Sequence, residues 1–325
     1  MQNLKIFPHA AARALIYFGV VLFAAYRLSP VFAARGGYNG FDVSGSLVPA
    51  EQIESGGPPR DGIPALSSPR MLSAAETKYL RPADRILSVT VNGESRAYPI
   101  RLLNWHEVVN DTVGGKAIVI TYCPLCGTGM VFNAAVGERV LEFSVSGLLY
   151  NSDMLLYDRQ TESLWSQLMA QAVSCPSKGK TLALVPATYT SWASWSAAYP
   201  NGSVLDINTG HDRDYARNPY AGYDKTRALY FDMSNRDPRF HEKNPVVGLV
   251  LDGQAKVWPL RELATVGGGQ FTDRINDTEL HIRYSVTDQT VVIEDATGNT
   301  LPSVPAYWFA WLAFYPDSLV FTIDN

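Results

Sequence analysis

The sequence has few charged residues, few cysteines and few histidines. Charged residues occupy 18% of the 325 positions, below the quarter typical of globular proteins. The net charge is −4 and no run of lysine or arginine exceeds two residues, which argues against a nucleic-acid partner. Three cysteines are too few to staple the fold with disulfides, so a hydrophobic core must stabilise it. The chain is 46% hydrophobic and 11% aromatic, which excludes a disordered or coiled-coil protein.

The first residues carry an export pattern. Lys5 and Arg13 precede an apolar run over residues 14–26, and small residues suited to cleavage end at Ala33. This order of basic, apolar and small residues is typical of a secretory signal. We therefore predict that residues 1–34 are a signal peptide or a membrane anchor. Either one makes the body periplasmic or otherwise extracytoplasmic, and an anchor would associate it with the inner membrane.

The body, residues 81–325, contains an internal repeat. Residues 86–103 align without a gap on residues 246–263. Each copy predicts a strand, an Asn-Gly or Asp-Gly turn, a second strand and a proline that starts a short helix. Two aromatic segments that end in Tyr-Pro also correspond, residues 192–200 and 308–316.

The repeat predicts an α+β fold, a strand-rich single domain built from two related half-repeats at about residues 84–205 and 244–321. The first half has about 55 residues between its apolar strand at 117–122 and Gly179, whereas the matching stretch of the second half has about 14. We interpret this excess as an inserted segment that carries the site. Residues 35–80 are rich in Gly, Pro and Ser and predict an irregular linker and lead-in.

A Cys-x-x-Cys motif follows the apolar strand of the first half. Cys123 and Cys126 could form a disulfide or redox pair, ligate a soft metal, or have no joint role. The Gly-Thr-Gly sequence after Cys126 breaks a helix, which argues against thioredoxin-like exchange because that chemistry uses a helix N-terminus. Only Cys175 remains as a further thiol, so the four ligands of a structural zinc site are not provided by cysteines alone.

His106 lies one short loop and one strand before Cys123. In a strand-turn-strand arrangement the two side chains would meet, and such a pair serves either metal ligation or thiolate activation. The second half has no histidine at the corresponding position. Two thiolates and an imidazole would suit Cu(I).

Three hypotheses of function remain open. The first is an exported soft-metal or thiol-redox site made by Cys123, Cys126 and His106, with copper preferred over zinc. The second is a hydrolase or transferase in which Cys123 is the nucleophile, His106 is the base, and Asp153 or Asp158 orients the base. The third is a non-catalytic binding module with an aromatic-lined cleft. The expected ligand is a metal or a small molecule, no nucleotide cofactor is indicated, and protein partners are left open.

Three strings of residues carry a family resemblance. They are YCPLCGT at residues 122–128, DRQTESLWSQ at residues 158–167 and WFAW at residues 308–311. Over about residues 80–325 the chain resembles the bacterial domain of unknown function 3179. The resemblance implies an exported or membrane-associated protein and assigns no activity.

Overall fold

The structure is a computed structural model that describes residues 38–323. The predicted signal peptide or anchor at residues 1–34 lies outside the described residues. Between residues 38 and 323, no helix is long and apolar enough to cross a membrane.

The described chain is 40% strand and 12% helical. Its strands are, in chain order, β1 (Ile53–Ser55), β2 (Leu66–Ser67), β3 (Met71–Ser73), β4 (Arg85–Val91), β5 (Glu94–Pro99), β6 (Val108–Val113), β7 (Lys116–Cys123), β8 (Thr128–Asn133), β9 (Ala135–Val136), β10 (Arg139–Val140), β11 (Phe143–Tyr150), β12 (Asp153–Asp158), β13 (Leu164–Ser166), β14 (Gln171–Ala172), β15 (Ala187–Ser191), β16 (Ser203–Leu205), β17 (Pro245–Leu251), β18 (Gln254–Pro259), β19 (Gly269–Ile275), β20 (Thr278–Ser285), β21 (Thr290–Asp295), β22 (Val304–Tyr307) and β23 (Leu319–Val320). Its α-helices are α1 (Ile100–His106), α2 (Trp192–Ala198), α3 (Leu260–Val266) and α4 (Trp308–Phe314).

The prediction of an α+β domain made of two half-repeats is wrong, because the strands form a five-bladed β-propeller arrangement. Each described α-helix has only seven residues and connects strands, so the helices do not build a layer. In strand order the blades are blade 1 (β15-β4-β5-β16-β3), blade 2 (β2-β6-β7-β8), blade 3 (β1-β11-β12-β13-β14), blade 4 (β22-β17-β18-β23) and blade 5 (β19-β20-β21).

Each copy of the sequence repeat contributes to two blades. In blade 1, Ile86 pairs with Pro99, and in blade 4, Val246 pairs with Pro259, so the two hairpins have the same register. Both sheets also add a later strand in parallel, β16 beside β5 and β23 beside β18. Blades 2 and 5 follow at equivalent points of the chain. Blade 3 has no counterpart, and four of its five strands come from the inserted segment.

The hairpins of blades 1 and 4 follow from their turn residues. Asn92 and Gly93 have φ of 49° and 83°, and Asp252 and Gly253 have φ of 49° and 78°. A two-residue hairpin whose central residues both have positive φ matches the right-handed twist of its strands, and Asn-Gly and Asp-Gly tolerate that backbone best. These dipeptides therefore explain why both copies form the same hairpin.

The segment predicted as a linker and lead-in, residues 35–80, contributes strands to three of the sheets. Strand β1 pairs with β11, β2 with β6, and β3 with β16, and each lies at the edge of its sheet. Phe41 and Val43 are buried against blade 3 side chains. The part of residues 35–80 that the structure describes is thus integrated into three blades.

The inner strands of three blades place the cysteine motif. Strand β8 contacts both β22 and β15. The loop between β7 and β8 carries Cys126, whose carbonyl oxygen accepts a hydrogen bond from the Tyr307 N–H at 2.7 Å. The largest apolar cluster surrounds this loop and includes both cysteines together with Met154, Trp165 and Trp308.

Candidate functional site

The Cys-x-x-Cys motif forms the end of a β-hairpin. Cys123 closes β7 and pairs with Thr128, the first residue of β8. Gly127 has a φ of 61°, and a Cβ atom at that position would lie 3.0 Å from the ring of Tyr307. Glycine is required here for both its backbone conformation and the close approach of the ring. The motif does not lie at a helix N-terminus, as the Gly-Thr-Gly sequence predicts.

A second hairpin brings Asp153 to the cysteines. Asn151 and Ser152 form the two-residue turn between β11 and β12, with φ of 52° and 64°, and Asp153 pairs with Tyr150. The Cys126 thiol donates a hydrogen bond to the Ser152 carbonyl oxygen, with 3.2 Å between sulfur and oxygen. The hairpin of blade 3 is therefore joined directly to the hairpin of blade 2.

Three potential metal ligands converge at this junction. The Sγ atoms of Cys123 and Cys126 and a carboxylate oxygen of Asp153 all lie within 4.8 Å of one another, and all three residues are buried. Asp153 Oδ2 accepts a hydrogen bond from the Leu168 N–H at 3.0 Å. Asp153 Oδ1 is buried and has no hydrogen-bond partner within residues 38–323. A buried oxygen without a partner is costly, which marks this cluster as a place where a ligand would stabilise the fold.

Burial favours the protonated form of all three groups. It raises the pKa of Asp153 to about 7, against the opposing effects of the Leu168 and Met154 N–H groups and of the Cys126 and Cys123 thiols. Burial also raises the pKa of the Cys123 thiol and raises that of Cys126 well above its ordinary value. The charged forms lack solvent in this environment, so both thiols are protonated at neutral pH.

Glu107 adds a fourth ionisable side chain beside the cluster. It follows α1 with φ of 59°, and the equivalent residue after α3 is Gly267, with φ of 91°. Burial, together with the nearby Asp153 charge, raises the pKa of the Glu107 carboxyl to about 8, against the lowering effect of its hydrogen bond with Tyr220. A side chain at a position that favours glycine carries a backbone cost, which is often accepted at functional sites.

Sequence reasoning missed Glu107, although it directly follows His106. The signal lay in the repeat, because Glu107 aligns with Gly267.

The connecting segment, residues 206–244, covers the cluster. The Tyr220 hydroxyl lies 3.4 Å from Glu107 Oε1. Burial raises the pKa of Tyr223, and the nearby Cys126 and Cys123 raise it further. The Nζ atom of Lys243 lies 3.8 Å from the centre of the Tyr223 ring and donates to the Thr226 and Ala228 carbonyl oxygens. The tyrosines of this segment thus lie over the site.

His106 does not belong to the cluster. Its Nδ1 lies 2.8 Å from the Pro64 carbonyl oxygen, and its Nε2 lies 2.6 Å from the Tyr215 hydroxyl. A carbonyl can only accept, so Nδ1 carries the proton and Nε2 accepts from Tyr215. Burial lowers the pKa of His106 to about 4, so the ring is neutral. Both ring nitrogens are engaged, and neither is available as a metal ligand or as a base for Cys123.

Asp158 and Cys175 also lie apart from the cluster. The Asp158 carboxylate accepts hydrogen bonds from the Thr161 N–H and hydroxyl at 2.6 Å and from Trp165 Nε1 at 2.8 Å. These contacts are those of an aspartate that begins a turn. Cys175 is exposed. Of the residues predicted from the sequence, the structure brings together Cys123, Cys126 and Asp153.

A family model described as "Protein of unknown function (DUF3179)" matches residues 60–300. Comparison with curated proteins and with solved structures yields no match.

Proposed function

Because the chain belongs to the DUF3179 family, whose description assigns no activity, we propose a function from the site itself: Cys123, Cys126 and Asp153 bind a divalent metal ion, preferably zinc. The observation that carries this proposal is the buried convergence of two thiols and one carboxylate within 4.8 Å. Tetrahedral Zn–S bonds of about 2.3 Å separate two sulfur ligands by about 3.8 Å, which a small adjustment of this cluster would reach.

The electrostatics of the cluster support a cation. Each of the three groups has a raised pKa because its charged form is desolvated. A divalent ion would neutralise two charges and would partner Asp153 Oδ1, the buried oxygen that lacks a hydrogen bond. Binding would release protons from both thiols, so affinity should increase as pH rises.

The ligand set favours zinc over the copper preferred at the sequence level. Cu(I) is best served by soft thiolate and imidazole ligands, whereas zinc accepts thiolate and carboxylate together. The imidazole that suited copper was that of His106, whose nitrogens are bound to Pro64 and Tyr215. The remaining sulfur and oxygen donors are therefore better matched to zinc.

The number of ligands favours a reactive site. Catalytic zinc sites use three protein ligands and leave one position for water or substrate, whereas structural sites are closed by four. When bound, the ion would supply Lewis acidity at that open position. Glu107, with a pKa of about 8, lies near the cluster and could hold or accept a proton close to neutral pH. The hypothesis of a Cys123 nucleophile lacks such support, since the thiol pKa is raised.

The test is the metal content of the full chain purified without chelator. We expect one zinc per chain by elemental analysis, and its loss in Cys123→Ser, Cys126→Ser and Asp153→Asn. Cys175→Ser is the matched control, because it removes an exposed thiol outside the cluster. His106→Gln should also retain the metal.

Two results would overturn the proposal. One is a wild-type protein that takes up no zinc or similar divalent ion even after incubation with excess metal. The other is undiminished zinc in the cysteine variants. Loss of metal in His106→Gln with retention in Cys126→Ser would instead favour a different ligand set.

A further inference from the structure

A cavity of about 280 Å³ lies beside the cysteine hairpin. Its apolar wall includes Val246, Val291 and Ala306, and its polar wall includes Arg85, Tyr189 and Tyr307. Ligand pockets are mostly apolar with a few convergent polar groups, and their volumes start at about 300 Å³, so this cavity is at the small end of that range. The composition and the size therefore point to a small organic ligand.

Arg85 places an incompletely satisfied cation in this wall. Its guanidinium donates to the carbonyl oxygens of Asp288, of Tyr189 at 3.1 Å and of Gln289 at 3.4 Å, and lies 4.5 Å from the centre of the Tyr189 ring. These bonds use three of its five N–H donors. No carboxylate forms an ion pair with Arg85 in the part of the chain that the structure describes.

The repeat indicates that this cation is particular to the site. Arg85 pairs with Ser191 in blade 1, and Pro245 pairs with Tyr307 at the equivalent place in blade 4. Burial lowers the pKa of Arg85, and the nearby Asp288 carboxylate opposes this shift without forming an ion pair. A half-buried cation that is not directly paired with a carboxylate is unfavourable, and an anion in the cavity would offset part of that cost.

Tyr307 connects the cavity to the cysteines. Its ring lies against Gly127 and lines the cavity, and its N–H binds the Cys126 carbonyl oxygen. Burial raises the pKa of Tyr307, and the nearby thiols of Cys126 and Cys123 raise it further. Tyr307 and Gly127 thus join the cavity wall to the loop that carries the proposed metal ligands.

We propose that this cavity binds a small organic carboxylate, with its charge at Arg85 and its apolar body against Val246 and Ala306. The ligand would then lie next to Cys126, so this inference deepens the proposed metal site by naming its substrate class, and in that respect rests on it. Asp224 also lines the cavity and is exposed. Its negative charge repels the carboxylate of a ligand and so directs that group to the Arg85 end.

The experiment is calorimetric titration of the full chain with benzoate, with benzamide as the uncharged comparison and inorganic phosphate as the anion without an apolar body. We expect benzoate to bind at least tenfold more tightly than either. Arg85→Met should abolish benzoate binding. Arg139→Met is the matched control, because Arg139 is an exposed arginine of the β10 strand and does not line the cavity.

Ser303→Phe provides a second variant that keeps the charge of Arg85. Ser303 lines the cavity, so a phenyl ring there should fill the space and abolish benzoate binding even if Arg85→Met fails to fold. Failure of benzoate to bind the wild type, or full binding by a folded Ser303→Phe, would overturn the inference. Equal binding of benzamide and benzoate would overturn it as well.

The Cys123→Ser/Cys126→Ser double variant separates this inference from the metal site. Its binding of benzoate depends on the cavity alone, and its zinc content depends on the cysteines alone. A wild type that binds zinc but not benzoate would therefore refute the carboxylate site and leave the metal site intact. A wild type that binds benzoate but not zinc would refute the metal site and leave the carboxylate site intact.

Discussion

Blades 2 and 5 contain the same hairpin loop with different chemistry. In blade 2, Cys123 pairs with Thr128, and in blade 5, Ser285 pairs with Thr290, so both loops enclose four residues. Cys126 and Asp288 occupy the same position of the two loops. The next residue has a positive φ in both, 61° in blade 2 and 51° in blade 5. The backbone alone therefore does not make the site.

The surroundings of the two loops explain their difference. The Asp288 carboxylate is partly exposed and accepts hydrogen bonds from the Ser191, Ser194 and Ser285 hydroxyls, which lower its pKa. In blade 2 the corresponding side chain is a fully buried thiol beside Asp153. Asp153 belongs to blade 3, which only the first half contains. The inserted blade thus converts an ordinary polar turn into a candidate site.

Transferring the blade 5 residues to blade 2 should have the largest effect. In Cys123→Ser/Cys126→Asp we expect loss of zinc and a fall in the free energy of unfolding of about 3–5 kcal/mol at pH 8, because an additional carboxylate would be buried without a cation partner. Elemental analysis and urea denaturation measure the two effects. The reverse change, Ser285→Cys/Asp288→Cys, should create no zinc site. Stoichiometric zinc in that variant would show that the hairpin suffices without blade 3.

The next expected effect is the pH dependence of the stability of the metal-free protein, to which the blade 2 site contributes and the blade 5 loop does not. Asp153 and Glu107 have folded pKa values of about 7 and 8, raised from 3.8 and 4.5. The folded state therefore binds more protons than the unfolded state between about pH 4 and 8, and its stability falls as pH rises through this window. We expect a loss of up to about 6 kcal/mol from pH 5 to 8, measured by urea denaturation after chelation.

Two variants control this measurement. Asp153→Asn should reduce the loss of stability toward pH 8. Asp288→Asn should leave it unchanged, since the lowered pKa of Asp288 contributes stability that is lost only as pH falls. An identical slope in wild type and Asp153→Asn would contradict the raised pKa.

The smallest expected effect concerns the residue with positive φ in each loop. Gly127→Ala should lower the free energy of unfolding by about 1–2 kcal/mol, because the new Cβ would be strained and would contact the Tyr307 ring. Gln289→Ala should change it by less than about 0.5 kcal/mol, because Gln289 already carries a Cβ and is exposed. Urea denaturation at one pH compares them. Equal effects would mean that Tyr307 does not constrain the blade 2 loop.

Some site residues could be inferred from the sequence because their signals are local. The Cys-x-x-Cys spacing and the helix-breaking residues after it indicate Cys123 and Cys126, and their loop is the predicted non-helical one. For Asp153, the sequence predicts a residue that orients His106 and not a metal ligand. His106 was misplaced because proximity along the chain says nothing about side-chain direction: its ring lies against Pro64 and Tyr215.

The sequence by itself determined the local elements of this protein. The Asn-Gly and Asp-Gly turns, the prolines that precede short helices and the apolar strands specify the same hairpins in both halves, since each depends on neighbouring residues only. The matched register of blades 1 and 4 is the result.

Only the tertiary structure decided the propeller and the site. Strand β15 pairs with β4 across about a hundred residues, and such pairing depends on how whole sheets bury their faces, which no local pattern encodes. The meeting of blade 2 with blade 3 then places Asp153 beside two thiols, and burial there, rather than residue type, raises their pKa values. The sequence specifies which residues are present, but the contacts between blades determine their pKa values and their proximity.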